Sequence, residues 1–176
     1  DVSISSLSSN PSRSELVDFS SPYYLVDQAI VAKKGVYEKV SELKGKQVAA
    51  EAEATGYDYA MANVTQNVVT YKTAAECFAA LEAGQVAAVV TDEPAATYFT
   101  NSPYSNCVTL ETVATCEKYA VAVHKDKRAL TDAINDALDQ MDQDGTLTQL
   151  QKHDGQGGSR HPGAPLLALD LHPDGE

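Results

Sequence analysis

Between Lys46 and Pro94 short apolar runs alternate with segments of helical periodicity, and this alternation leaves few folds open. Lys46–Ala52, KQVAAEA, reads as a short strand, and Tyr57–Val64 follows with helical spacing. Asn67–Tyr71, NVVTY, is a second strand. Thr73 then opens a helix with Glu76 three residues on, a capping box, and Gly84 closes it. Val86–Val90, VAAVV, is apolar throughout, as a strand covered on both faces must be. Asp92-Glu93-Pro94 comes next, with proline placed for the first turn of a helix. The β-α-β-α-β-α order predicts an α/β fold whose parallel strands are joined by right-handed crossovers.

In such sheets ligands bind beyond the carboxyl ends of the strands. Thr55 and Asp92 fall there. Thr55 stands where a strand hands over to a helix N-terminus, whose free N–H groups and dipole favour an anion. Asp92 follows the VAAVV strand and can receive an ammonium. Both residue types are also ordinary helix N-caps, and one residue can do both jobs.

The flanks add a second set of candidates. Residues 1–24, DVSISSLSSNPSRSELVDFSSPYY, bring Ser6, Ser8 and Arg13 together. Arginine offers a planar fork of donors that grips a carboxylate with two bonds, and hydroxyls and backbone N–H groups beside it can complete such a site. A Ser-rich loop with one arginine is otherwise a solvated turn. Lys118–His124 reads as a strand, and Arg128–Gln143 as a long helix. Leu130, Ile134, Leu138 and Met141 share one face of that helix and read as core. Asp144-Gly145-Thr146 breaks it before a short helix, Leu147–Lys152.

The formal net charge of -12 leaves no basic stripe for phosphate, which excludes a nucleic-acid partner. No apolar run is long enough to span a bilayer. No signal peptide opens the sequence, so the chain reads as cytosolic or already trimmed. Cys107 and Cys116 flank VTLETVAT, which reads as a hairpin or as two strand ends. A bridge between them suits an oxidising compartment, and reduced structural cysteines are the alternative. Cys77, on the apolar face of a helix, reads as a buried thiol. No metal site and no cofactor are expected; His153, His161 and His172 are too irregularly spaced for one.

Four stretches in this order, DVSISSLSSNPSRSELVDFSSPYY, SELKGKQVAAEAEATGYDYA, TYKTAAECFAALEAGQVAAVVTDEPAATYF and KYAVAVHKDKRALTDAINDALDQMDQDGTLTQL, resemble the bacterial extracellular solute-binding proteins of family 3, which feed ABC importers for polar amino acids. The resemblance covers nearly all of residues 1–152. It implies the two-lobe periplasmic-binding-protein-like fold (type II), with two α/β lobes joined by hinge strands and an amino acid held between them. By the same resemblance Arg13 matches the clamp on the ligand α-carboxylate, and Ser6 and Ser8 match the loop beside it. Thr55 matches the second-lobe partner of that carboxylate, and Asp92 the receiver of the α-ammonium. The implied partners are a free amino acid and an ABC transporter permease. The implied location is periplasmic or extracellular, with a lipoprotein anchor as one form of attachment.

The departures from the family are specific. Its usual glycine-threonine before the helix reads here as Glu53-Ala54, with Thr55 kept. Glu53 is either a contact to a cationic or polar ligand side chain or a solvent-facing acid, and the sequence leaves both open. The family carries a strand–helix–strand region before the DVSISS strand, holding much of the first lobe, and this chain begins after it. Residues 1–26 and 118–153 are therefore expected to form a partial first lobe, residues 27–117 a complete second lobe, and residues 154–176 a linker or disordered tail with an apolar patch at Pro165–Leu171. A partial lobe exposes apolar faces, which predicts a homodimer or segment-swapped oligomer, to be tested by light scattering. Two other functions fit the same residues: a relative that binds no ligand and acts as an interaction module, and an enzyme like the cyclohexadienyl dehydratases, for which Glu53 is the one nameable acid.

Overall fold

The computed structural model describes residues 1–154. The tail beyond, with the Pro165–Leu171 patch, His161 and His172, lies outside the described residues. In chain order the elements are β1 (Val2–Ser3), α1 (Pro11–Ser14), β2 (Asp18–Lys33), a 3₁₀ turn at Val40–Leu43, β3 (Val48–Glu51), α2 (Thr55–Asn63), β4 (Val68–Tyr71), α3 (Ala74–Glu82), β5 (Ala88–Asp92), α4 (Glu93–Asn101), β6 (Cys107–Val123), a 3₁₀ turn at Lys125–Lys127, α5 (Arg128–Gln143) and α6 (Thr146–Asp154). The chain divides into two compact units, Asp27–Thr115 on one side and Asp1–Val26 with the chain from Cys116 onward on the other.

In the Asp27–Thr115 unit the strand order is β2-β5-β3-β4. β3 runs parallel to β4 and β5, as the alternating order predicts. β2 was not foreseen and lies antiparallel on β5, with Gln28 opposite Asp92 and Ile30 opposite Val90. Side chains alternate across the sheet with the period of two that strands impose. Ala29, Val31, Ala49 and Val89 pack with Phe78 and Leu81 of α3, while Ile30, Ala32, Val48 and Val90 pack with Ala60 of α2 and with Leu43. Two cores on opposite faces explain why VAAVV carries no polar alternation.

Helix α3 forms where its signals stand. The Thr73 hydroxyl accepts from the Glu76 amide at 3.2 Å, and the Glu76 carboxylate accepts from the Lys72 amide at 2.8 Å. At the other end Gly84 adopts φ +71°, the left-handed conformation that closes a helix. Cys77 is buried within α3, and burial with Glu51 and Glu76 nearby pushes its thiol up to about 12, so it stays protonated and unreactive.

In the other unit β1 runs antiparallel to β6, with Val2 opposite Val123. Tyr119–Val123 of β6, Leu138 of α5 and Leu147 of α6 are buried there. Two expectations need correction. The α5 stripe is not wholly core: Leu138 is buried, but Leu130, Ile134 and Met141 are half-buried and Ala133 and Ala137 exposed. The Cys107–Cys116 hairpin and bridge do not form. VTLETVAT contains none of the Gly, Pro, Asn or Asp that a tight turn requires, and it continues as part of the single strand β6, which carries Cys116 away from Cys107.

Candidate functional site

The residues named from the sequence fall into two sets, one in each unit. The first is the loop after β1. Backbone bonds from Ser9 N to Lys118 O at 2.8 Å and from Ala120 N to Leu7 O at 3.1 Å tie this loop to β6. Ser6 sits at φ +53°, a strained conformation for a residue with a side chain. Ser8 is 4 % exposed and donates its hydroxyl proton to Glu117 Oε2 at 2.7 Å. Asn10 caps the one-turn helix α1, its Oδ1 accepting from the Arg13 amide at 2.8 Å, with Pro11 preset for the first turn. Arg13 then reaches back, and its Nη1 donates to the Ser8 carbonyl at 2.8 Å. One arm of the guanidinium is thereby fixed to the loop that presents Ser8. Burial pushes the Tyr23 phenol up, against a smaller opposing effect of a backbone hydrogen bond with Ser6, so the loop packs beside a neutral hydroxyl.

Glu117 was not foreseen. It follows Cys116 within β6, and no periodicity marks it out. Because a hydroxyl has one proton and Ser8 gives it to Glu117, the Ser8 oxygen presents lone pairs to any further partner.

The second set surrounds the N-terminus of α2. β3 leads into Glu53 at φ +61°, then into Ala54, which occupies the N-cap position but has no side-chain oxygen with which to cap. Thr55 is the first helical residue. Gly56 follows, and a Cβ there would lie 3.0 Å from Gln28 Oε1 and 3.1 Å from the Val90 carbonyl, so only glycine lets the helix approach the strands this closely. Gln28 is fully buried on β2. Its Nε2 donates to Asp92 Oδ1 at 2.6 Å and to Thr55 Oγ1 at 3.3 Å. The N-cap reading of Asp92 is half right. The residue holds the N-cap position of α4, yet its carboxylate makes no capping bond and is held by Gln28. The N-cap reading of Thr55 gives way to Ala54. Neighbouring Glu93 is buried and accepts from Thr97 Oγ1 at 2.8 Å. Gln28 also escaped the sequence reading, although a polar side chain inside the apolar run LVDQAIVA was a signal for it.

Glu53 is exposed. Its left-handed φ explains why glycine suits this position, and Ala54 lacks the hydroxyl that a threonine would bring. Glu53→Gly removes a cost of about 1 kcal/mol or more at a left-handed residue. Ala54→Ser adds a cap worth about 1 kcal/mol. Each is expected to raise Tm by about 2–4 °C in a thermal melt, and a Tm unchanged in both variants rejects this account.

The two sets carry opposite chemistries. Arg13 brings a guanidinium with its fork of donors, and Asp92 a carboxylate, which only accepts. Among the described residues no cluster of His, Cys, Asp or Glu is arranged to hold a metal ion, and no helix is long and apolar enough to cross a membrane.

Comparison with known proteins gives one answer. The sequence profile of the bacterial extracellular solute-binding proteins, family 3, matches residues 1–153. The ABC transporter arginine-binding protein 1 of Escherichia coli is 28 % identical over 155 residues, covering 85 % of this chain and 64 % of that protein. The ABC transporter glutamine-binding protein GlnH of Bacillus subtilis is 30 % identical over 155 residues, covering 86 % and 56 % respectively. The chain thus spans less than two thirds of the length of these relatives. Among solved structures, an ancestral arginine-binding protein bound to arginine superimposes with a TM-score of 0.80 at 31 % identity, covering 88 % of this chain and 71 % of that one.

Proposed function

This chain belongs to the bacterial extracellular solute-binding proteins, family 3, and on that premise we propose that it binds a free polar amino acid outside the cytoplasm for delivery to an ABC importer permease. The observation that carries this reading is the state of Asp92. A carboxylate at a helix N-cap normally turns to the helix amides, whereas this one makes no capping bond and accepts from Gln28 Nε2 at 2.6 Å. Arg13, braced on the Ser8 carbonyl, supports the same reading from the opposite charge. An α-amino acid carries an ammonium and a carboxylate at a fixed separation, and these two groups recognise its two ends. The relatives above are named for binding arginine and glutamine, and none of these names describes an enzyme. Closure of the two lobes on the ligand is the proposed motion, and the periplasm, with or without a lipid anchor, the proposed location.

Isothermal titration calorimetry of the chain with L-arginine, L-glutamine and the other common L-amino acids tests this reading. Saturable 1:1 heats with at least one of them are expected. No heat with any of them rejects binding and leaves an interaction module as the function, while consumption of prephenate or arogenate establishes an enzyme.

A further inference from the structure

Gln28 is the one amide among the largest fully buried side chains of the described residues. Its Nε2 donor is engaged, and leaving a buried donor unpaired costs about 1–3 kcal/mol. The place where it stands is specific. Gln28 and Asp92 are register partners on adjacent antiparallel strands, so their side chains emerge side by side on one face. Gly56 allows the first turn of α2 to close over the amide, its missing Cβ leaving room for Gln28 Oε1. The amide therefore meets groups from two other elements at once, Asp92 of β5 at 2.6 Å and Thr55 of α2 at 3.3 Å.

We infer that Gln28 is a positioning residue of the amino-acid site. It ties the group for the ligand ammonium to the helix terminus that serves the ligand carboxylate. Its removal takes away a donor that competes with the α4 amides for the Asp92 carboxylate, which makes no capping bond at its N-cap position. With Gln28 in place the carboxylate is drawn off the helix, and the spacing between the Asp92 oxygen and the Thr55 hydroxyl is set by a single rigid amide plane. Buried partners that orient the ligating groups of metal sites govern affinity by about 10–100-fold, and an effect of that order is expected here.

The inference rests on the amino-acid-binding reading, and the test separates the two. Wild type, Gln28→Met and Gln28→Glu are titrated calorimetrically with the L-amino acid that wild type binds, beginning with L-arginine and L-glutamine, and their folding is followed by circular dichroism. Methionine keeps the volume and removes the donors. Glutamate keeps the shape and replaces the donor with a carboxyl facing Asp92, the titratable group on β5; Thr55 and Gly56 of α2 present none. Gln28→Met is expected to fold and to bind about 10–100-fold more weakly. Gln28→Glu is expected to lose more at about pH 8, and its affinity relative to wild type recovers toward about pH 5 as the introduced carboxyl takes up a proton and donates it to Asp92. A merely space-filling role moves neither that ratio nor its pH dependence. Affinity unchanged in folded Gln28→Met, or a pH-independent ratio in Gln28→Glu, overturns the inference and leaves the binding function standing. A wild type that binds no amino acid overturns both. Should Gln28→Met fail to fold, the pH dependence of Gln28→Glu decides.

Discussion

Asp92→Asn is expected to weaken amino-acid binding by about 30-fold or more while leaving the melting temperature within a few degrees of wild type. The expectation follows from what the substitution keeps. Asparagine at this position retains an oxygen that accepts from Gln28 Nε2, so the contact that holds the side chain at 2.6 Å survives. Only the charge goes. A charge-assisted bond to an ammonium, shielded from water once ligand is bound, is lost together with its partner's compensation, which costs about 2–5 kcal/mol. At about 1.4 kcal/mol per decade this is roughly 30-fold to several thousand-fold in Kd. Asp92→Ala is a poorer experiment, because it also strips the buried amide of its strongest partner and mixes a stability loss into the result. Arg13→Ala is expected to fall in the same range on the carboxylate side, with a small stability change, since Arg13 lies on a four-residue helix with no buried residue. Calorimetry alongside thermal melts gives both numbers. Wild-type affinity in folded Asp92→Asn assigns the ammonium to another group, and the Ser8 oxygen, whose proton goes to Glu117, is the next candidate.

The parts of this molecule that were legible in its sequence are those whose signals are local. Thr73, Glu76 and Gly84 bound α3 because caps act within one turn. VAAVV reads as a buried strand because both of its faces meet apolar layers. Arg13, Thr55 and Asp92 are named from their places in loops and at strand ends, where Thr and Asp also serve as ordinary caps. What escaped was set by pairing across the chain. β2 extends to Lys33 because β5 lies beside it, and nothing between Leu25 and Lys33 announces that partner. Asp92 looked like a cap because the competing donor, Gln28, is 64 positions away in sequence. Glu117 was invisible for the same reason, its partner Ser8 being 109 positions distant. Two local readings failed: VTLETVAT has no turn residues and runs on as strand, and helical spacing along α5 does not say how much of that face a neighbour covers.

The largest stability effect is expected from Phe78→Ala. Phe78 is fully buried on α3, with its ring stacked on Phe99 at 4.6 Å and on Tyr104 at 5.6 Å between centroids. Its removal takes away transfer energy, leaves a cavity and unstacks two rings at once, a loss of about 3–5 kcal/mol. That is a large share of the roughly 5–15 kcal/mol that holds a domain together, and at about 2–4 °C per kcal/mol it lowers Tm by about 6–20 °C. Phe78→Leu retains most of the volume and should lose clearly less. The consequence reaches the site through the sheet. Ala29 and Val89 belong to the same cluster as Phe78, and they lie on the two strands that carry Gln28 and Asp92. Loosening this core therefore relaxes the β2–β5 pair whose register sets the amide against the carboxylate. Phe78→Ala is expected to weaken binding even at temperatures where most of the chain is folded, whereas Asp92→Asn weakens binding without touching Tm. A Phe78→Ala protein that melts with wild type, or that melts early yet binds with wild-type affinity, shows that the site's geometry is held by something other than this core.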